Sequence, residues 1–173
     1  MALTQVASGL IASVAASTLT GTQTIPKGTL PTGSVLQVVQ FGTATPFSTT
    51  STSPTSTGFT QSITPSSASS KVLIIASSVL GVPTTGTNGN VNLYRNTTAL
   101  VSTSNPNYVT YGAAAYNANS FTAVYLDSPA TTSSTSYTLY AWINGAATTI
   151  YVGARQDGGS PVYTTITLME IAA

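Results

Sequence analysis

The chain contains no cysteine and no histidine, and of its 173 residues only four are Lys or Arg and three Asp or Glu. Each absence closes off a chemistry. Without cysteine there is no disulfide, no thiolate nucleophile and no cysteine-based metal site. Without histidine the commonest general acid-base group is missing, together with the usual zinc ligand. Charged residues make up 4% of the chain, against roughly 25% in ordinary soluble domains. Solubility must therefore rest on hydroxyls and amides, and about a third of the chain is Ser or Thr.

The few charges are scattered. Lys27, Lys71, Arg95 and Arg155 form no basic cluster, and a net charge of +1 gives no footprint for a phosphate backbone, so nucleic acid is not an expected partner. So small a net charge also does little to hold copies apart, and a homo-oligomer is expected. The carboxylates Asp127, Asp157 and Glu170 fall one to a segment, whereas a glycosidase needs two flanking a single bond. Serines abound, but there is neither a G-x-S-x-G elbow nor an S-x-x-K pair; Ser69 stands two residues before Lys71, the wrong spacing. The nearest approach to a cation loop, "RQDGGSP" at 155–161, offers one Asp and a Gly-Gly turn. It reads as a hairpin loop with Arg155 paired to Asp157. No catalytic residue, metal site or cofactor is assigned, and the expectation is a protein that is not an enzyme. Glu170 interrupts the apolar stretch "TITLMEI" and needs a partner there; Arg95, Lys71 or another subunit are the candidates.

What the chain does have is organisation. Residues 1–33 are Ala, Ser, Thr, Gly and a few aliphatics, with Pro26 and Pro31 near the end. This is an N-terminal anchoring or assembly arm, with Leu10, Ile11, Val14, Leu19, Ile25 and Leu30 as its candidate contacts. It lacks the basic start of an export signal, and no run approaches membrane-span length. The expectation is a protein made without a signal peptide and not inserted in a membrane. Residues 34–173 alternate short apolar segments with turn signals, as all-β sandwiches do. "SVLQVVQFG", "FTQSIT" (at an edge), "KVLIIASSVLG", "VNLYR", "FTAVYLD", "YTLYAWIN", "TIYVGAR" and "VYTTITLMEI" are rich in the β-branched and aromatic residues that strands favour. "FSTTSTSPTSTG" reads as a loop, and Asn88-Gly89 as a type I′ hairpin turn. Val72–Ala76, with no polar alternation, predicts a central strand buried on both faces.

About eight strands over ~140 residues predict an all-β, jelly-roll-like antiparallel β-sandwich, with an immunoglobulin-like topology as the competitor. "NPNYVTYGAAAYNANS" reads as a connection whose Tyr108, Tyr111 and Tyr116 form a candidate surface-recognition loop, since amphipathic rings beside amides suit sugars or peptide surfaces. Packing at a subunit interface is the competing reading for these rings.

Three stretches, "LPTGSVLQVVQ" at 30–40, "SITPSSASSKVLIIAS" at 62–77 and "ITLMEIA" at 166–172, resemble the opening, first buried strand and closing strand of a group of tailed-bacteriophage virion proteins. These are head-decoration or tail-fibre proteins with a trimeric jelly-roll domain. The resemblance implies a non-enzymatic structural module on the virion surface, made in the host cytoplasm and forming a homotrimer. Two roles follow from it. As a capsid decoration (cement) protein it would stabilise the head by binding major capsid protein, held by its N-terminal arm. As a tail-fibre or receptor-binding tip it would attach to a host cell-surface glycan or protein through loops such as "NPNYVTYGAAAYNANS" and "TTGTNGN".

Overall fold

Among the described residues, eleven strands dense in Val, Ile, Thr, Tyr and Phe build the domain: β1 (Val35–Thr43), β2 (Phe47–Thr49), β3 (Thr55–Ile63), β4 (Lys71–Gly81), β5 (Asn88–Arg95), β6 (Thr98–Ala99), β7 (Tyr108–Tyr111), β8 (Asn119–Asp127), β9 (Thr135–Asn144), β10 (Ile150–Val152) and β11 (Thr164–Ile171). The computed structural model describes residues 30–83, 87–111, 117–145 and 148–173. The arm contacts Leu10, Ile11, Val14, Leu19 and Ile25, together with Tyr116, lie outside the described residues. Leu30 is half-buried.

All pairings are antiparallel, and they form two sheets. In the first, β1 pairs β11, β11 pairs β4, and β4 pairs β8 along its other edge. β10 continues beside β4 where β11 ends, and β2 pairs β10. In the second, β3 pairs β9, β9 pairs β5, and β5 is flanked by β6 at one end and β7 at the other. Three pairs of strands (β1 with β2, β10 with β11, β6 with β7) thus share lanes, so the eleven strands fill four lanes in each sheet. The chain repeatedly crosses from one sheet to the other, and their inner faces meet in a single core of Phe59, Val72, Ile74, Leu93, Phe121, Tyr137, Leu139, Ile166 and Leu168, with others. The protein is an all-β, antiparallel β-sandwich. Among the described residues there is no helix, hence none long and apolar enough to cross a membrane.

The expected edge strand "FTQSIT" lies in β3, at the edge of its sheet, and "KVLIIASSVLG" is β4, central in its own. Several sequence readings need correcting, three of them in the strand assignments. Of the loop expected at 47–58, Phe47–Thr49 forms β2 and 55–58 opens β3; Phe47 packs against the core while Ser48 and Thr49 complete the ladder to β10. Tyr108–Tyr111, expected in a connection, is a strand along the β5 edge. Asn88-Gly89 is no hairpin turn: β5 begins there, with Gly89 opposite Ile143 on one side and Thr110 on the other.

Gly89 occupies an inward-facing position, alternating with Val91 and Leu93, and a β-carbon there would stand 2.4 Å from Val82 Cγ2 and 3.1 Å from Leu80 Cδ2. Both neighbours are wholly buried. The glycine is needed for close approach, not for a turn. Gly89→Ala is accordingly expected to lower stability by about 1–3 kcal/mol, the usual cost of overpacking. Urea unfolding followed by circular dichroism checks this, and an unchanged midpoint would refute it.

Candidate functional site

With so few ionisable groups, acid-base chemistry near neutrality centres on the three carboxylates. Each is placed by the sandwich and held by specific partners.

Glu170 stands on the inner side of β11, opposite Gln37 of β1 and Val72 of β4, and is completely buried. Its partners are neutral. Gln37 Nε2 donates to Oε2 at 2.6 Å; the backbone N–H of Ser66 donates to Oε1 at 2.7 Å and the Ser66 hydroxyl to the same oxygen at 2.6 Å. The Ser70 hydroxyl, also buried, supplies a further bond. Burial alone would push this carboxyl up, but the bonds from Ser66, Gln37 and Ser70 outweigh it and hold the pKa down to about 2. The expected cationic partners go elsewhere. Lys71 is the exposed first residue of β4, and Arg95 is committed to Asp127.

Ser66 and Ser70 belong to the connection 64–70, which carries the chain from β3 in one sheet to β4 in the other. Local bonds shape that turn: Ser70 N–H to Ser67 O, Ser69 N–H to Ser67 Oγ, and the two hydroxyls of Ser67 and Ser69 at 2.8 Å. Pro65 is buried, and Gln37 also donates to Thr64 O at 2.8 Å. The turn is thereby clamped over the carboxylate it serves.

Asp127 ends β8. It accepts from Arg95 Nη1 at 2.9 and 3.0 Å and from the Tyr137 hydroxyl at 2.7 Å. Arg95 and Tyr137 come from β5 and β9 of the opposite sheet, so this cluster bridges the layers. Burial, and then the bond to Asp127, push the Tyr137 hydroxyl well above the ordinary phenol range. Asp127 and Glu170 both lie opposite Val72, one on each side of it. Two strand spacings of about 4.8 Å therefore separate them, a juxtaposition that their separation in sequence hid. They do not form a cleft. Glu170 is ionised and sealed, and Asp127 is bonded to a cation and a phenol.

Asp157 forms the expected pair with Arg155 (Nη2 to Oδ2 2.7 Å, Nε to Oδ1 2.9 Å) within the tight turn after β10. The bonds from Arg155, aided by Gly159 N–H, hold its carboxyl down to about 2. Among the described residues, no three His, Cys, Asp or Glu side chains gather where they could hold a metal ion.

The tyrosines divide. Tyr108 lies opposite Val91 and faces inward, its ring stacked on Phe121 with centroids 5.1 Å apart. Tyr111 is exposed at 61%, and Val109, on the same outward side of β7, at 46%. On β9, Tyr140 stacks on Tyr94 of β5 at 3.8 Å, while Trp142, on the same face, is almost fully buried. The outward positions of the second sheet are otherwise hydroxyls and amides: Thr60, Ser62, Ser136, Thr138, Asn90 and Asn92.

The first sheet's outer face has a different character. Val38, Met169, Leu73 and Leu126 form one cross-strand row over four lanes, and Gln40, Thr167, Ile75 and Val124 form the next. Val35 opposes Ile171 beyond the first row. Val35, Val38, Val124 and Leu126 are each half or more exposed. Beside them lies an open apolar cavity of about 310 Å³ lined by Thr32, Gly33, Lys71, Leu126, Ile171 and Ala172, among others.

No family model matches the chain, and no curated protein is similar to it at a significant level.

The Glu170 network has a pH signature. A carboxyl whose pKa is held down to about 2 in the folded state, against 4.5 ordinarily, gives stability that is complete above pH ~4.5. That stability is lost as the pH falls toward 2, about 3 kcal/mol in all. Glu170→Gln should abolish this component of acid sensitivity. It should also cost about 1–3 kcal/mol at neutral pH, because a second amide cannot accept every bond that Gln37, Ser66 and Ser70 donate. Denaturant midpoints of both proteins from pH 2 to 7 test this; parallel profiles would overturn it.

Proposed function

We propose that this protein is a non-enzymatic structural component of a bacteriophage virion, a homotrimeric decoration (cement) protein that stabilises the head by binding major capsid subunits. One observation carries this reading. The three stretches that resemble phage virion proteins are far apart in sequence, yet each contributes to a single buried network: Gln37 from the first, Ser66 and Ser70 from the second, Glu170 from the third. The resemblance thus falls on the residues that fix the closing end of the sandwich, where a shared architecture would be constrained.

The strand order supports a jelly roll in particular. With lanes in chain order, the first, eighth, third and sixth form one sheet and the second, seventh, fourth and fifth the other, as expected for two interleaved Greek keys. The engagement of all three carboxylates in structural bonds supports the non-enzymatic part. In the decoration role the arm at 1–33 holds the protein to its capsid partner on the virion surface.

A second reading, the tail-fibre tip, is favoured by exposed Tyr111 and Val109 beside half-buried Asn88, a ring and an amide of the kind that receive a glycan. Locating the chain by cryo-electron microscopy of the particle and counting its copies separates the two. Hundreds of copies on the head are expected; a few copies confined to the tail would overturn the decoration role, and absence from the particle would overturn both.

A further inference from the structure

The two outer faces of the sandwich should resemble each other if both met water, since a half-solvated antiparallel sheet alternates apolar inward with polar outward. The second sheet departs from that rule at Tyr94, Tyr140 and Trp142, and its outward Asn90, Asn92 and Thr138 are themselves buried. The first breaks it across all four lanes. In β4 the inward Val72, Ile74 and Ala76 are interleaved with outward Leu73 and Ile75, and the outward positions of β1, β11 and β8 continue the patch through Val38, Met169, Val124 and Leu126. We propose that this outer face is the surface through which copies of this chain pack against one another.

Size and charge together select a second copy as the occupant. Four strands at about 4.8 Å spacing and nine residues at about 3.4 Å each span roughly 600 Å², in the class of the ~800 Å² that each partner gives a standard interface. Charge is nearly absent from it: in its cross-strand rows only Lys71 is charged, and it stands at the end of the face, opposite Ile171. The hydroxyl- and amide-bearing Gln40, Thr167, Ser77 and Thr122 border the apolar rows at the other end. This is an apolar centre with a neutral polar rim, as interfaces have. Elsewhere Arg95 neutralises Asp127, Arg155 neutralises Asp157 and Glu170 is sealed, so an identical copy approaches without repulsion between like charges.

The inference deepens the trimer of the proposed function by naming its surface, and it rests on that reading only for the number of copies. Its test uses the full chain, whose lack of cysteine makes single thiols informative. Wild type is expected to sediment as an oligomer. Val38→Arg with Leu126→Arg, both on half-exposed side chains, should weaken association by about tenfold or more while leaving the circular dichroism spectrum unchanged. Ser62→Arg, on the opposite sheet's outer face, should assemble normally. Should the double variant misfold, separate Leu126→Cys and Ser62→Cys proteins decide the matter by maleimide labelling: the thiol at 126 is expected to be protected in the native protein and that at 62 to react freely. A monomeric wild type, or an oligomer in which the thiol at 126 labels as fast as that at 62, would overturn the proposal. An oligomer that survives the double variant would overturn the assignment of the face alone and leave the virion reading to the particle count.

Discussion

A buried carboxylate needs compensation on the spot, and the way Glu170 obtains it organises one end of this protein. A cation would have had to be buried as well, doubling the desolvation cost. Small neutral donors do the same work from short side chains and one backbone N–H. Because those donors come from β1 and from the turn between β3 and β4, ionised Glu170 fixes the register of the β1–β11–β4 trio and pins the crossover that joins the sheets. On the other side of Val72, Asp127 carries out the complementary task, reaching Arg95 and Tyr137 of the opposite layer. One end of the sandwich is thus closed by two anions, each tied across the gap between sheets or chain segments.

That arrangement limits what the carboxylates can do more directly than the composition does. Few charges need not mean no reaction, since two carboxylates suffice for a glycosidase. Here the two that share a row serve the fold. Glu170 is far too acidic to donate a proton near neutrality, and Asp127 is engaged by a guanidinium and a phenol. The third, Asp157, is held by its neighbour within one exposed turn.

The fold was legible where apolar residues run long: β4, β8, β9 and β11 could be read directly from β-branched and aromatic segments. The short strands were not. β2, β6 and β7 are strands because a neighbouring lane offers unpaired backbone groups, and the two to four residues of each carry too little pattern of their own. Asn88-Gly89 misled for a similar reason, since the local turn preference yields to a core position where only a hydrogen fits against Val82. For Glu170 the sequence announced the need for a partner but not its identity. The rare cations were the expected partners, whereas the donors are Gln37 and two serines, Ser66 and Ser70, the latter of a residue type too abundant here to stand out. The signal lay in position: the serines sit in a proline-containing turn immediately before the most apolar strand, where a hydroxyl can reach inward.

The apolar character of β4 was visible in the sequence and correctly predicted a central strand, but the expected burial of both faces is not what the described residues show. Only the inner face is covered by the opposing sheet. Leu73 and Ile75 on the outer face remain partly open, and their row neighbours Val124 and Leu126 on β8 more so. An unalternated run therefore has two physical origins, a third layer or a second molecule, and the described residues of the sandwich contain two layers. The near-absence of charge then fits the same account. A sheet that is to bury its outer face against another molecule gains nothing from surface lysines and glutamates, which would have to be desolvated or paired on assembly, whereas serine and threonine keep the rim wettable and lose little when covered.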